Sequence, residues 1–302
     1  MEGVTYFFDW EVKLIVFLQQ HLSKIGLILA KVSSFLGQEL FGIAVLGFLY
    51  WSYDKELAKK IGTNILAAAC MNPLIKNFII RRRPYFDHEE IQCLLPLKEE
   101  ADLYDIQAQG YSFPSGHSMN SATLFGSLRH YFSKPIFRLL AIVIPFMVGA
   151  SRVVLGVHYP TDVLCGWAIG YLIAALFSYL QDHYAPQKVR WILLACSLTG
   201  VFYCRTEDYF TSLGALLGGL LGIVFEEKHV NFKNTTDVKK AVLRLFCGFL
   251  FFFLANFILK AGVGLLALTE RSMAAYLFRT LRYAILLFVM LGMYPMLFDR
   301  WF

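Results

Sequence analysis

The sequence predicts an all-α, polytopic helical membrane protein. Of its 302 residues, 57% are hydrophobic and 16% are aromatic, and the mean hydropathy is +0.54. A soluble chain of this length needs more polar residues than this to cover its surface. Most of the chain lies in apolar segments of about 17 to 25 residues, each long enough to cross a hydrocarbon layer about 30 Å thick. This pattern excludes a soluble protein of two domains.

Three regions follow one another along the chain. Residues 1–34 are expected to contain an interfacial helix, because Lys13, Lys24 and Lys31 interrupt its apolar residues. Residues 35–182 form the predicted membrane core, and residues 183–302 add further transmembrane helices. The first ten residues are acidic and aromatic, so no cleavable signal peptide is expected. About nine crossings are predicted from apolar length, at residues 35–53, 58–79, 116–132, 136–153, 160–181, 190–205, 209–226, 241–267 and 281–300.

A long polar loop, residues 81–113, lies between the second and third predicted crossings, and we call it the lid loop. Its carboxylates lack the regular spacing of a calcium-binding loop, and no pair of histidines accompanies them. We therefore expect a solvated cap over the site, with no metal and no other cofactor. The carboxylates are Asp87, Glu89, Glu90, Glu99, Glu100, Asp102 and Asp105.

The formal net charge of +6 comes from basic residues that are spread through many loops. This distribution fits contact with anionic lipid head groups and gives no indication of nucleic-acid binding. If residues 54–57 lie inside, most loop lysines do too, among them Lys134 and Lys188. The polar blocks described next then lie on the extracytoplasmic or lumenal face.

The first candidate catalytic group is a histidine beside a carboxylate. His158 and Asp162 are four residues apart at the start of an apolar helix, so both are expected to project from one face. The carboxylate would fix the imidazole tautomer and stabilise positive charge on the ring. A histidine that attacks phosphorus needs both properties. His158 is the candidate nucleophile, and Asp162 is its orienting partner.

Three cations are predicted to surround a phosphoryl group. Arg152 ends one apolar helix, and the turn 153–157 brings it back to the rim of the site. Lys76 and Arg83 are seven residues apart, about two helical turns, so they share a face if the helix continues to Pro84. A guanidinium offers a planar fork of donors that matches phosphate. Together the cations would neutralise charge in the transition state.

The remaining block is Pro114-Ser115-Gly116-His117. Pro114 and Gly116 are expected to shape a turn into a helix, leaving the amides near Ser115 and Gly116 free to hold an anion. His117 is the candidate general acid for the leaving oxygen. A single histidine at a membrane helix end is more often an interfacial residue. The combination is informative because ionisable groups inside a membrane are costly, and several gather on one side here.

The three blocks resemble the three-part signature of the type 2 phosphatidic acid phosphatase superfamily over about residues 35–182. The motifs that carry the resemblance are Lys76-x6-Arg83-Pro84, Pro114-Ser115-Gly116-His117 and Ser151-Arg152-x5-His158-x3-Asp162. The resemblance implies a six-helix core, metal-independent hydrolysis, His158 as nucleophile, Asp162 as its partner and His117 as general acid. The phosphate ligands that it implies are Lys76, Arg83, Ser115, Gly116 and Arg152.

We therefore expect a membrane phosphatase that acts on a lipid phosphate monoester or diphosphate through a phosphohistidine, among membrane lipids. Sphingoid-base phosphate, a phosphatidate-type lipid and undecaprenyl diphosphate all remain candidate substrates. Residues 37–41, the pair Tyr50-Trp51 and the helices after 190 resemble the sphingosine-1-phosphate phosphatase branch. A lipid phosphotransferase with the same site is one alternative, and a membrane transporter is another. Gly214, Gly218 and Gly222 have the spacing of close helix packing, either within the chain or in a homodimer.

Overall fold

The structure is a computed structural model that describes residues 3–98, 100–264, 269 and 271–298. The described chain is helical, with one isolated parallel bridge between Val4 and Arg81, and the predicted all-α class is confirmed. Its α-helices are α1 (Asp9–Gln20), α2 (Lys24–Phe35), α3 (Glu39–Phe48), α4 (Lys55–Ile79), α5 (Pro84–Asp87), α6 (Ile106–Gln109), α7 (Gly116–Tyr131), α8 (Pro135–Val154), α9 (Pro160–His183), α10 (Pro186–Leu198), α11 (Glu207–Phe225), α12 (Val238–Gly264) and α13 (Met273–Phe288). Short π-helical segments continue α3, α11 and α13, at Leu49–Tyr53, Glu226–Val230 and Val289–Met293. Short 3-10 turns lie at Thr199–Phe202 and Tyr294–Leu297.

Five helices in the described part of the chain, α8, α9, α11, α12 and α13, are long and apolar enough to cross a membrane. The pair of α2 and α3, bent by 51°, meets the same requirement as one span and would be the sixth. About nine crossings were predicted, which is more than these criteria support. Helix α7 has only 16 residues and α10 only 13, while α4 begins with four charged side chains in six residues. The ends of two predicted crossings, at 265–267 and 299–300, lie outside the described residues.

The stretch 10–34, predicted as one interfacial helix, forms two helices. Helix α1 ends at Gln20, and α2 begins at Lys24. Ser23 is the N-cap of α2, because its Oγ accepts a hydrogen bond from the Gly26 amide at 3.0 Å. The exposed side chains of Ile25 and Ile28 on α2 are apolar. The position of this stretch at a membrane interface stays a prediction.

The described residues form two compact units. The first contains the described residues of 1–42 and 71–179, and the second contains those of 43–70 and 180–302. In the first unit, α7 packs closely on α9 at Gly170, where an added Cβ would lie 2.5 Å from the Met119 carbonyl oxygen. Thr123 Oγ1 also donates to the Gly170 carbonyl at 3.1 Å. Small residues allow this approach, and it brings the N-terminal ends of α7 and α9 together.

Helix α8 is held against α9 around Pro145. Proline has no amide hydrogen to donate to the carbonyl of Ala141, and the Tyr171 hydroxyl donates to that carbonyl instead. Trp167 Nε1 donates to the Pro145 carbonyl at 3.0 Å. The Trp167 ring lies on Gly149, where a Cβ would be 2.3 Å from it. These contacts fix how far α8 extends along α9, and so where its last turn lies.

The glycine stripe of α11 packs against α13 within the second unit. A Cβ at Gly214 would lie 2.3 Å from the Thr280 carbonyl oxygen, and one at Gly218 would lie 2.1 Å from that of Ala284. Of the two uses predicted for this stripe, packing within the chain is therefore the one that the structure shows. The homodimer stays a prediction.

Gly218→Ala should lower the unfolding midpoint in detergent, because the added methyl group would meet backbone 2.1 Å away. Such overpacking typically costs about 1–3 kcal/mol. The matched control is Gly219→Ala, one residue along, where the nearest atom to the added methyl is 3.5 Å away. The control should unfold at or above the wild-type midpoint, since alanine favours helix by about 1 kcal/mol over glycine. Equal midpoints for the two variants would contradict this packing.

Candidate functional site

The site lies in the first unit, where the C-terminal ends of α4 and α8 approach the N-terminal ends of α7 and α9. Its ionisable groups are almost removed from solvent: Lys76 is 9% exposed, Arg152 2% and Asp162 0%. Charged groups buried to this degree are costly unless they are paired or serve a ligand. All eight predicted site residues lie in this unit, namely Lys76, Arg83, Ser115, Gly116, His117, Arg152, His158 and Asp162.

The histidine and its carboxylate meet through a tight turn. His158 lies two residues before α9 and not in its first turn, yet its Nδ1 is 3.5 Å from Asp162 Oδ2. The Asp162 amide donates to the Tyr159 carbonyl at 3.0 Å, and the Tyr159 amide donates to Asp162 Oδ2 at 2.8 Å. The Nδ1 edge of the ring therefore faces Asp162, and Nε2 is the nitrogen that a phosphoryl group would meet.

Ser112 adds a partner that the sequence analysis missed. Its Oγ donates to Asp162 Oδ2 at 2.5 Å and lies 3.4 Å from His158 Nδ1. Its amide donates to the Arg81 carbonyl at 2.8 Å. A serine in a polar loop has no distinguishing pattern. The one available signal is its position two residues before Pro114.

Lys76 and Arg83 do not share a helix, so the prediction that α4 continues to Pro84 is wrong. Helix α4 ends at Ile79, and Ile80 has a left-handed backbone with φ of +47°. Arg83 instead precedes the short helix α5 as its N-cap. The chain therefore turns between the two cations, and the turn rather than helical periodicity brings Arg83 to the site.

Arg83 ties the lid loop to the site. Its Nε donates to the carbonyls of Gln109 and Gly110, each at 2.9 Å. Its Nη1 donates to the Val157 carbonyl at 2.9 Å, one residue before His158. Gln109 itself is 0% exposed. The acidic side chains of Glu89, Glu90 and Glu100 in the lid loop are exposed, as predicted. The part of the loop that bonds to Arg83 is buried. Glu99 lies outside the described residues.

The guanidinium of Arg152 is only partly hydrogen-bonded within the described chain. Its Nη1 donates to Ser34 Oγ of α2 at 2.7 Å. Its Nε is buried and has no acceptor within the described chain. A buried donor without a partner costs about 1–3 kcal/mol or more, and a phosphate oxygen would satisfy it. Sequence reasoning missed Ser34, which lies 118 residues away.

The turn before α7 forms as predicted, with one difference. Ser115 is the N-cap, and its Oγ accepts from the Ser118 amide at 3.4 Å. The Ser115 amide, however, donates to the Asp162 carbonyl at 3.0 Å, so this amide is not free to hold an anion. Gly116 and His117 supply the first two amides of the helix. Asn72, also missed, holds the turn by donating to the Pro114 carbonyl at 3.2 Å.

The cations and both histidines form one electrostatic group. His117 lies within electrostatic range of Arg152, His158 and Lys76. Burial, and then the cations Arg83, Arg152 and Lys76, hold the pKa of His158 well below its ordinary value of 6.5. The imidazole is therefore neutral near pH 7, which is the nucleophilic form.

The described residues include no group of three His, Cys, Asp or Glu side chains placed to hold a metal ion. The phosphate-side cations Lys76, Arg83 and Arg152 carry positive charge of their own. Metal independence stays a prediction, and an experiment is proposed for it below.

Comparison with known proteins identifies the family. Residues 57–185 match the PAP2 superfamily, and residues 210–302 match the PAP2 superfamily phosphatase, transmembrane extension. The chain belongs to the PAP2 superfamily. The site motifs from Lys76 to Asp162 fall inside the first match, and most of α11 and all of α12 and α13 fall in the extension. The predicted resemblance is confirmed.

Two curated relatives of this PAP2 protein are named as phosphatases. Phosphatidylglycerophosphatase B of Bacillus subtilis (strain 168) is 36% identical over 112 residues, 34% of this chain and 47% of that protein. Lipid phosphate phosphatase delta of Arabidopsis thaliana is 28% identical over 204 residues, 61% of this chain and 47% of that protein. The chain spans about half the length of these curated relatives.

The crystal structure of Aquifex aeolicus LpxE has a similar fold. The TM-score is 0.50 at 23% sequence identity, covering 57% of this chain and 96% of that one. At this identity the similarity supports the fold alone.

Ser112→Ala should lower kcat of the PAP2 protein on a lipid phosphate by about 10- to 100-fold, since a hydrogen bond to a charged group contributes about 1.5–3 kcal/mol. KM should change little, because Ser112 contacts Asp162 and not the cations. The matched control is Ser127→Ala, which removes a buried hydroxyl that donates to the Thr123 carbonyl at 2.7 Å. Steady-state kinetics in detergent provide the measurement, and equal effects of both variants would contradict the assigned contact.

The lowered pKa of His158 predicts that its ring stays neutral at mildly acidic pH. A ring whose folded pKa lies below 6.5 stays neutral as pH falls to that value, and it protonates only at lower pH. An NMR titration of histidine ring signals in micelles, with His158→Asn to assign the signal, measures this directly. A midpoint at or above pH 6.5 would show that the cations do not surround the ring as described.

Proposed function

We propose that this protein is an integral membrane phosphatase that hydrolyses a lipid phosphate monoester or diphosphate through a phosphohistidine on His158. The observation that carries the proposal is the buried pair of His158 and Asp162, whose ring is faced by three buried cations. A neutral histidine beside a carboxylate supplies a nucleophile, and the cations supply a site for the phosphate that it attacks.

In the first step, the lone pair of His158 Nε2 attacks phosphorus and a nitrogen–phosphorus bond forms. The bond from phosphorus to the leaving oxygen breaks, and His117 donates a proton to that oxygen. Burial and the neighbouring cations lower the pKa of His117, so its ring takes up this proton when the negatively charged phosphate binds beside it. In the second step, a water oxygen attacks phosphorus while His117 takes a proton from the water. The nitrogen–phosphorus bond then breaks, and inorganic phosphate leaves.

The positive charge that develops on His158 is stabilised by Asp162. Arg152 offers the buried Nε that lacks an acceptor in the described chain, and Lys76 and Arg83 add positive charge beside it. Negative charge on the transferring phosphoryl oxygens would therefore be met by groups already in place, so little reorganisation is needed at the transition state.

The lipid is proposed only as a class. The cations Lys76, Arg83 and Arg152 would bind the phosphate and would not distinguish what lies beyond the leaving oxygen. The matched relatives are named for phosphatidylglycerophosphate and for lipid phosphates in general. Sphingoid-base phosphate, phosphatidate-type lipids and undecaprenyl diphosphate stay within the proposed class.

We also propose that the site opens on the extracytoplasmic or lumenal face. Lys134 precedes α8, and Arg152 lies in its last turn, about 27 Å away at 1.5 Å per helical residue. The site is therefore at the end of α8 away from Lys134. Loop lysines favour the cytoplasmic side, which supports the opposite side for the site.

Purified protein should release phosphate from a panel of sphingosine-1-phosphate, phosphatidic acid, phosphatidylglycerol phosphate and undecaprenyl diphosphate with EDTA present. His158→Ala should lower the rate by about four orders of magnitude or more, and acid-labile phosphoenzyme should be trapped in wild type but not in His158→Ala. His183→Ala, at the exposed end of α9, is the matched control and should keep its activity.

Release by His158→Ala would overturn the nucleophile assignment. Loss of activity with EDTA would indicate a metal requirement. Transfer of the phosphoryl group to an added alcohol in preference to water would favour the phosphotransferase.

A further inference from the structure

A buried chain of ion pairs reaches the site from the N-terminal helix. Arg81 Nη1 donates to Asp162 Oδ1 at 2.6 Å, and Arg81 Nη2 donates to Glu11 Oε2 at 2.9 Å. The side chains of Glu11, Arg81 and Asp162 are at most 1% exposed. Glu11 lies outside the three sequence blocks, and Arg81 occupies an unspecified position of the first, between Lys76 and Arg83. We propose that Glu11 and Arg81 are positioning residues that orient the carboxylate of Asp162 toward His158, an inference that rests on the proposed function.

The guanidinium of Arg81 is fixed in one orientation. Its Nε donates to the Tyr6 carbonyl at 2.9 Å, and its Nη1 also donates to Thr161 Oγ1 at 2.8 Å. Its central carbon lies 4.0 Å from the centre of the Tyr159 ring and 4.6 Å from that of Tyr6. Stacking and bonding of this kind restrict a planar cation far more than they restrict an ammonium group. Arg81 is therefore a rigid support for Asp162.

Glu11 holds both Arg81 and the start of α9. Its Oε1 accepts from the Thr161 amide at 3.0 Å and from Thr161 Oγ1 at 2.6 Å. Its Oε2 also accepts from the Phe8 amide at 3.0 Å. A carboxylate at the N-terminal end of a helix is favoured by the helix dipole. Glu11 thus fixes the residue next to Asp162 as well as the arginine that binds it.

The backbone is strained at the residue that directs Arg81 inward. Ile80 has φ of +47°, a left-handed conformation that β-branched residues rarely adopt. Backbone bonds to the N-terminal segment accompany it: the Val4 amide donates to the Ile80 carbonyl at 2.8 Å, and the Arg82 amide donates to the Val4 carbonyl at 3.0 Å. The side chain of Arg82 instead pairs with Asp87 at 3.0 Å. Two adjacent arginines therefore have different partners.

The contacts also divide the two oxygens of Asp162. Oδ1 is bonded by Arg81, while Oδ2 receives Ser112 and the Tyr159 amide and faces His158 Nδ1. Without the anchor on Oδ1 the carboxylate could rotate, and Oδ2 would lose its fixed direction. A misplacement of about 1 Å can cost about 100-fold in rate. Glu11 and Arg81 touch neither phosphate nor the reacting atoms, so their loss should affect kcat and spare phosphate binding.

The experiment compares Glu11→Gln and Arg81→Gln with two matched controls in the full chain. Asp9→Asn removes an exposed carboxylate from the same helix turn, and Arg82→Gln removes the neighbouring guanidinium. We expect kcat to fall by about 100-fold in the first pair, with KM and inhibition by inorganic phosphate unchanged. Both controls should keep the wild-type kcat. Rates are normalised to protein that elutes as a folded species in detergent.

A second readout is the tautomer of the His158 ring, observed by ¹⁵N NMR in micelles. Wild type and Asp9→Asn should show Nδ1 protonated, and Glu11→Gln should show a mixture of tautomers. If Arg81→Gln does not fold, Arg81→Lys keeps the charge without the fork, and Thr161→Val removes one hydrogen bond from Glu11 and one from Arg81. Both should lower kcat without raising KM.

The proposal is overturned if Glu11→Gln and Arg81→Gln keep wild-type kcat and a single tautomer. It is also overturned if kcat and phosphate inhibition weaken together, which would indicate a general loss of structure. These results differ from failure of the proposed function, in which wild type and Asp9→Asn would themselves release no phosphate and form no phosphoenzyme.

Discussion

The described site depends on one fully buried carboxyl group, that of Asp162. Asp162 is 0% exposed, and a buried carboxylate is tolerated only when its oxygens are paired and hydrogen-bonded. Its partners are Arg81 and Ser112, at the two ends of the lid loop, and the amide of Tyr159 in the turn before α9. The contacts that satisfy Asp162 therefore also bring the parts of the site together. Folding of the first unit and assembly of the site share the same interactions.

Small residues let the helices that carry the site pack closely against one another, which makes the site rigid. Gly170 lets α7 approach α9, and Gly149 lets Trp167 lie against α8. Each contact joins helices that carry site groups at their ends, so the groups are placed by packed elements and not by loops alone. Arg83 extends the same frame into the lid loop through the carbonyls of Gln109 and Gly110.

The features of the site that depend on residues close together in the chain were predicted from the sequence. The turn into a helix at Pro114 and Gly116, the helix end at Arg152 and the approach of His158 to Asp162 follow from residues close in the chain. The prediction failed at Arg83, because the left-handed Ile80 accompanies hydrogen bonds to Val4, far away in sequence. Ser34, Ser112 and Glu11 could not be predicted for a related reason: each acts through a partner brought close only by the fold. The crossings were overcounted where helices such as α7 bury serine and threonine in place of apolar residues.

The two sides of His158 carry opposite charge, and this asymmetry links binding to chemistry. Burial, and then the cations Arg83, Arg152 and Lys76 on the phosphate side, disfavour a charged ring and lower its pKa. On the other side, two carboxylates share one guanidinium, so the group of Glu11, Arg81 and Asp162 carries an excess negative charge. A bound phosphate dianion would offset much of the positive side while leaving the negative side unchanged. In the proposed reaction, substrate binding would therefore offset part of the charge that favours a neutral ring, before the ring becomes positive by bonding to phosphorus.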